Sequence, residues 1–333
     1  MSWILLILGF AVLVVGGELL VRGATAVSVR MGISPMVVGL TVVAIGSSLP
    51  ELAVGIDAAL RGSTGLVTGN IVGTNIVNLL LILGISAAMR PIRSGRQTMR
   101  LDLPAVVIVA ALLLLLSLGG SLGRTSGVLL LVVGVIYTGL ILWYVRQQAR
   151  RPEPAAAPDN VVEAGTDAAA AADTAGRPGW LSILRDIAYL VVGIGTVILG
   201  ADWLVTGAID IASELGVSDT LIGLTVVAIG TSAPELVTSV VATMRGHASM
   251  AVGNLIGSSV YNIVFILGLT VVISPDAIPV ESVVLQVDMP VMLGVSLLVA
   301  TMFRTGRRVT RREGLLLVLS YLVYLSYLVM FRV

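Results

Sequence analysis

Two glutamates, Glu51 and Glu235, are the residues of this sequence best placed to do chemistry. Each follows a proline and a small polar turn, GSSLPEL at 46–52 and GTSAPEL at 230–236. Both fall near the middle of long apolar stretches, where an ionised carboxylate is costly and needs a cation, a partner or a proton. Pro50 and Pro234 remove the helical hydrogen bonds to the carbonyls of Gly46 and Gly230 and crowd the turn, which leaves carbonyl oxygens beside each acid. A lone membrane glutamate is adequately read as a neutral hydrogen-bonding residue, and a lone proline as a kink. Two matched acids, each with hydroxyls and freed carbonyls on one broken turn, point instead to a cation site.

A polar stripe follows each acid. Asn70, Thr74 and Asn78 recur at four-residue intervals, as do Asn254, Ser258 and Asn262, and such spacing places each set along one helical face. Asn78 and Asn262 read as part of the ion site, while Asn70 and Asn254 fit either the site or interhelical hydrogen bonding. Gly69 with Gly73, and Gly253 with Gly257, form small-xxx-small pairs that permit close packing. They are expected to bring the third span against the second and the eighth against the seventh. Hard oxygen ligands without sulfur or imidazole suit Ca²⁺, Na⁺, K⁺ or Mg²⁺. Two carboxylates supply four oxygens and balance the charge of Ca²⁺, which takes six to eight oxygen ligands; Mg²⁺ more often keeps several waters. Carbonyls, hydroxyls and amides of the same cage also suit monovalent ions, and two like charges in an empty cage would favour protons as competitors.

Composition narrows the functional classes. The 333 residues are 57% hydrophobic and 12% charged, with a mean hydropathy of +1.04. A soluble domain carries about 25% charged residues, so the expected partner is the lipid bilayer and nucleic acid is excluded. There is no Cys, and His247 is the single His. Thiolate and His-cluster metal sites, disulfides and a Cys nucleophile are thereby removed, and no enzyme activity or prosthetic group is expected. All 20 basic residues are Arg.

The elements that must position the acids are apolar windows near 3–29, 35–60, 65–89, 101–119, 127–145, 186–212, 218–244, 249–273, 287–303 and 314–331. The expected fold is an all-α polytopic membrane protein of ten transmembrane helices. The first segment lacks the basic start of a signal peptide and reads as a retained span. The Ala- and Pro-rich stretch between spans five and six reads as a disordered linker. An offset of 184 aligns 32–84 with 216–268 without a gap and with 24 of 53 positions identical. LDLP at 101–104 answers VDMP at 287–290 more faintly. Each unit then holds five spans, an odd number, so the two copies enter the membrane in opposite senses, the construction of secondary transporters with a site at the repeat interface. The domain reading is a first repeat over 1–146, a linker over 147–180 and a second repeat over 181–333. Sixteen Arg residues fall on one side of this arrangement. By the positive-inside rule that side is the cytoplasm, with both termini outside, the linker cytoplasmic and the cell membrane as location.

Other acids read as structural. Glu18 stands four residues before Arg22, and Asp57 four before Arg61, the spacing of intrahelical ion pairs. Asp202, the repeat mate of Glu18, is read with Asp210 as facing an access path. His247 falls in a short loop and has no assigned role.

GSSLPE and GTSAPE in inverted repeats, each followed by GNxxG and a polar stripe, resemble the α-repeats of the sodium/calcium exchangers, and the resemblance covers essentially the whole chain. It implies a ten-helix fold with a core of spans 2, 3, 7 and 8, across which spans 1 and 6 slide. By position it implies Glu51 and Glu235 as Ca²⁺ carboxylates, with the carbonyls of Ser47 and Thr231 completing the shell. It places Ala44, Ser48, Thr74, Asn78, Ala228, Ser232, Ser258 and Asn262 around flanking Na⁺ positions. It further implies electrogenic exchange, with more than two Na⁺ per Ca²⁺ and Ca²⁺ driven out. Relatives that also use K⁺ carry an acid where this chain has Asn262, which argues against K⁺ dependence. The linker does not resemble the large calcium-sensing insert of animal exchangers. Proton-coupled relatives show GNAxE-like motifs in place of the hydroxyls of Ser47, Ser48, Thr231 and Ser232, so H⁺/Ca²⁺ antiport is the alternative.

Overall fold

The structure, a computed structural model, describes residues 2–31, 35–60, 64–93, 95, 97–150, 180–214 and 228–331. Nearly all of these are helical. Eight helical spans are long and apolar enough to cross a membrane, and a bent pair, Gly39–Ser47 with Leu49–Leu60, makes a ninth. Part of the expected seventh span and nearly all of the linker lie outside the described residues.

In chain order, α1 is Ser2–Met31, and the second span is assembled from α2 (Pro35–Val38), α3 (Ala44–Ser47) and α4 (Leu49–Leu60). The third span joins α5 (Thr64–Ile76) to α6 (Leu83–Met89), followed by α7 (Leu103–Ser117) and α8 (Arg124–Arg150). The second half begins with α9 (Trp180–Glu214), then α10 (Ala228–Thr231) and α11 (Ala233–Met244). The eighth span is α12 (Ala248–Tyr261) with α13 (Gly268–Ile273), and the last two helices are α14 (Met289–Gly306) and α15 (Arg311–Phe331).

The repeat extends to irregularities of the backbone. π-helical turns at Val77–Ile82 and Asn262–Leu267 interrupt the third and eighth spans, and others at Thr98–Asp102 and Val284–Asp288 precede α7 and α14. A π turn inserts an extra residue into the helical ladder and recurs at functional sites. Two short antiparallel ribbons tie the loops together. β1 (Ile92–Arg93) pairs with β4 (Arg308–Val309), and β2 (Ser121–Leu122) with β3 (Ile278–Pro279). Because α7 runs from β1 to β2 and α14 from β3 to β4, the two helices are antiparallel. The Arg-rich segments 90–100 and 304–312 therefore share one end of the molecule.

Burial sorts the spans. In the third and eighth, 78% of the apolar window is buried, against 22–39% for the other long spans. Those two form the centre, and the rest present apolar side chains such as Ile7, Val135, Val191 and Val323 outward, where lipid meets them. A sheath of this kind is stable only in hydrocarbon.

α1 and α9 form a separate antiparallel pair. Gly9, Gly16 and Gly23 on α1 and Gly193, Gly200 and Gly207 on α9 repeat every seven residues. Each meets backbone of the other helix: a methyl at Gly16 would lie 2.6 Å from the Val197 nitrogen, and one at Gly207 2.7 Å from the Leu6 nitrogen. The helix ends are tied as well, by Ser2 donating to Asp210 Oδ2 at 3.1 Å and by Arg30 paired with Asp186.

Candidate cation site

Both glutamates sit at a break in their span. The helix stops at Ser48, with φ −90° and ψ 8°, and at Ser232, with φ −85° and ψ 3°. It restarts at once with α4 and α11, and the second span bends by 43° at the first break. Proline explains the restart: at the first turn of a new helix its missing N–H costs nothing. Glu51 and Glu235 therefore occupy the first turns of new helices, where the helix dipole favours negative charge. The carbonyl ends of α3 and α10 lie beside them, and such ends favour cations.

Glu51 and Glu235 are fully buried and lie within electrostatic reach of each other. Hydroxyls connect the repeats between them. Ser48 of the first repeat donates to Glu235 Oε1 at 3.2 Å and lies 3.2 Å from the Ser258 hydroxyl. Ser258 itself lies 3.4 Å from Glu235 Oε1 and 3.3 Å from the Ala44 carbonyl. Ala44, Ser48, Glu235 and Ser258, four of the sequence-predicted residues, thus form one connected group. Ser47 and Thr231, also buried, sit on the last turns before the two breaks, and Ser232 sits at the second break itself. Ala228 begins α10.

Thr74, Asn78 and Asn262 are completely buried on the two central spans, the asparagines at the start of their π turns. Six oxygens of the predicted set are buried without a hydrogen-bond partner: both of Glu51, Oε2 of Glu235, Thr74 Oγ1, Asn78 Oδ1 and Asn262 Oδ1. An unpaired buried oxygen costs about 1–3 kcal/mol; five more are found away from this set, on Thr25, Asn75, Ser86, Asp102 and Ser117, so what distinguishes the set is that three of its six belong to the paired carboxylates. No group of three or more His, Asp or Glu side chains suited to a metal occurs among the described residues. A cation here would rely on two carboxylates with hydroxyl, amide and carbonyl oxygens.

The polar stripes divide in function. Asn254 is an interhelical tie: its amide donates to Thr238 at 3.1 Å and Ser239 at 3.2 Å, and its Oδ1 accepts from Ser47 at 3.3 Å. Asn70 Nδ2 is buried without a partner. Glycine packing differs from the sequence expectation. Gly257 does not turn toward the seventh span; a methyl there would lie 2.6 Å from the Leu40 carbonyl, on the second span of the other repeat. Among the described residues nothing lies within 4 Å of a methyl built at Gly69 or Gly73. The eighth span touches the seventh through the Asn254 bonds, leaving its glycine face free to join the repeats.

Glu18 pairs with Arg22 as expected, and also with Arg245 at the end of α11, a link between α1 and the core. Asp202 is exposed on α9, Asp210 is held by Ser2, and His247 lies in the turn before α12. Arg61, the expected partner of Asp57, lies outside the described residues.

Sequence reasoning passed over two acid–phenol couples in which the acid is buried. Tyr137 of α8 donates to Asp102 Oδ1 at 3.5 Å, and Tyr324 of α15 donates to Asp288 Oδ1 at 2.8 Å. Each acid ends a π turn two residues before a proline, and the LDLP and VDMP echo was the available signal.

The profile of the sodium/calcium exchanger protein family matches residues 1–143 and 186–330. The sodium/calcium exchanger MaX1 of Methanosarcina acetivorans is 31% identical over 346 residues, covering 97% of each chain. The inner membrane protein YrbG of Escherichia coli is 33% identical over 327 residues, covering 97% of this chain and 95% of its own. Structures of the sodium-calcium exchanger NCX_Mj superpose with TM-scores of 0.81 after soaking in Na⁺ without Ca²⁺ and 0.80 in Na⁺ with Sr²⁺, at 28% identity. Both cover 98% of this chain, and 98% and 97% of their own. With two opposed acids at matched helix breaks and these relatives spanning its whole length, this chain belongs to the sodium/calcium exchanger family.

Proposed function

We propose that this chain is an electrogenic Na⁺/Ca²⁺ antiporter working by alternating access and extruding Ca²⁺ on the inward Na⁺ gradient. In this reading ten transmembrane helices form two inverted five-helix repeats, 1–146 and 181–333. They are joined by a cytoplasmic linker over 147–180, with both termini outside. Glu51 and Glu235 bind Ca²⁺ together with the carbonyls of Ser47 and Thr231. Ala44, Ser48, Thr74, Asn78, Ala228, Ser232, Ser258 and Asn262 serve the Na⁺ positions.

The observation carrying this reading is the pair of fully buried carboxylates, three of whose four oxygens have no hydrogen-bond partner; with the carbonyls of Ser47 and Thr231 they offer six oxygens, within the six to eight that Ca²⁺ takes. Two acids neutralise one Ca²⁺, and hydroxyls and amides suffice for Na⁺ once Ca²⁺ has left. Competition for shared oxygens makes exchange obligatory. The Arg-rich end marked by the β1–β4 ribbon supports the orientation through the positive-inside rule.

The test is Ca²⁺ uptake into Na⁺-loaded proteoliposomes under a clamped potential. Uptake is expected to persist with a protonophore and to vanish when internal Na⁺ is replaced by choline. Equal uptake with choline overturns Na⁺ coupling, and uptake driven by a proton gradient alone establishes H⁺/Ca²⁺ antiport on the same scaffold.

A further inference from the structure

A cleft of about 300 Å³ opens between α7 and α14 on the outer surface of the bundle. Leu103, Val107, Ile108, Leu297 and Ala300 are among the residues that line it, with Arg304 at one end. Ile108 and Leu297 are also exposed on the apolar belt, so the cleft communicates sideways with lipid. Leu297 lies seven residues before Arg304, and at 1.5 Å per residue the furrow runs about 10 Å into the bilayer from the guanidinium. The long axis is apolar and the mouth is cationic.

Arg304 has no acidic partner among the described residues. The acids nearest in sequence on the packed elements are engaged elsewhere: Asp102 is buried and accepts from Tyr137, Asp288 accepts from Tyr324, and Glu313 caps α15 through Thr310. Arg307, Arg308, Arg311 and Arg312 follow at the same end, so among the described residues the mouth is positive. The inverted repeat supplies an internal comparison. With LDLP set on VDMP, the counterpart of Arg304 is Leu118, so the cationic mouth exists at the Arg-rich end alone.

We infer that this cleft is a binding site for an anionic phospholipid, with an acyl chain along the α7–α14 furrow and the phosphate on Arg304. A guanidinium matches phosphate with paired hydrogen bonds, and a positive mouth selects an anionic headgroup over a zwitterionic one. The site lies apart from Glu51 and Glu235 and does not depend on which ions are exchanged.

Native mass spectrometry of the detergent-purified protein, given equal phosphatidylglycerol and phosphatidylcholine of matched chains, provides the test. The wild type is expected to retain the phosphatidylglycerol adduct several-fold over the phosphatidylcholine adduct. Arg304→Gln is expected to bring the two to parity, while Arg124→Gln at the opposite end leaves the preference intact. Ala300→Trp, filling the furrow with Arg304 in place, is expected to reduce both adducts. Parity in the wild type, or an undiminished preference in Arg304→Gln, overturns the site. A lipid-free dimer broken by Ala300→Trp overturns it too, in favour of a second copy of the chain as occupant.

Discussion

The hydroxyl of Ser48 donates to Oε1 of Glu235 at 3.2 Å, so the residue at the helix break of one repeat holds the carboxylate of the other. Hydrogen bonds to charged groups contribute about 1.5–3 kcal/mol, and each 1.4 kcal/mol is about tenfold in affinity. Ser48→Ala is therefore expected to raise the Ca²⁺ concentration for half-maximal Na⁺-driven uptake by about 10- to 100-fold. An unchanged concentration dependence would show that this bond does not orient the acid.

Glu51→Gln and Glu235→Gln keep the shape of the side chain and remove its charge. Each is expected to abolish Ca²⁺ exchange while the protein remains folded and monodisperse in detergent. Exchange retained by either variant removes that residue from the proposed site.

The α1–α9 contact gives a sharp steric contrast. A methyl at Gly16 would lie 2.6 Å from backbone of α9, which cannot swing aside, whereas one at Gly195 meets nothing within 4 Å. Gly16→Leu is expected to cost about 1–3 kcal/mol or more from overpacking, read as a lowered melting temperature in detergent. Gly195→Leu, on the outward face, is expected to leave the melting temperature nearly unchanged.

The two repeats make the acids legible. A single mid-span glutamate has a mundane explanation, whereas Glu51 and Glu235 at one offset, each behind a proline, leave few alternatives. The breaks at Ser48 and Ser232 were readable because proline chemistry is local. The π turns at Val77–Ile82 and Asn262–Leu267 were not, since neither propensity nor hydropathy distinguishes them from α-helix. Gly9, Gly16 and Gly23 stand in plain view in the sequence, but their meaning depends on Gly193, Gly200 and Gly207 lying opposite, a tertiary fact. The same holds for Asp102, whose partner Tyr137 is 35 residues away on another helix, and for Gly257, which packs on the first repeat.

Tyr324→Phe removes the 2.8 Å bond to Asp288 and leaves a buried carboxyl with one partner fewer. A cost of about 1–3 kcal/mol is expected, measured as a lowered thermal midpoint. Tyr137→Phe, whose bond to Asp102 is longer at 3.5 Å, is expected to cost less; the reverse order would contradict the geometry.

His247 lies outside the spans, and burial, followed by the nearby Arg245 charge, holds its imidazole below the ordinary value of 6.5. The unfolded chain takes up this proton first as pH falls. His247 is therefore without cost to stability above about pH 6.5 and destabilising as pH drops through the window below it. One ¹⁵N-histidine label reports a single residue here, and its titration midpoint is expected below 6.5. A midpoint above 6.5 would mean that the imidazole is stabilised as a cation.

The seven-residue glycine repeat shared by α1 and α9 has a mechanical consequence. Shear by one or two residues would drive leucine and valine side chains into opposing backbone, and the next permitted register lies seven residues away, about 10 Å. Two rods meshed in this way cannot slip past each other under thermal forces and behave as a single beam. Displacement at one end of the pair is then delivered to the other end, so α1 and α9 move as a unit.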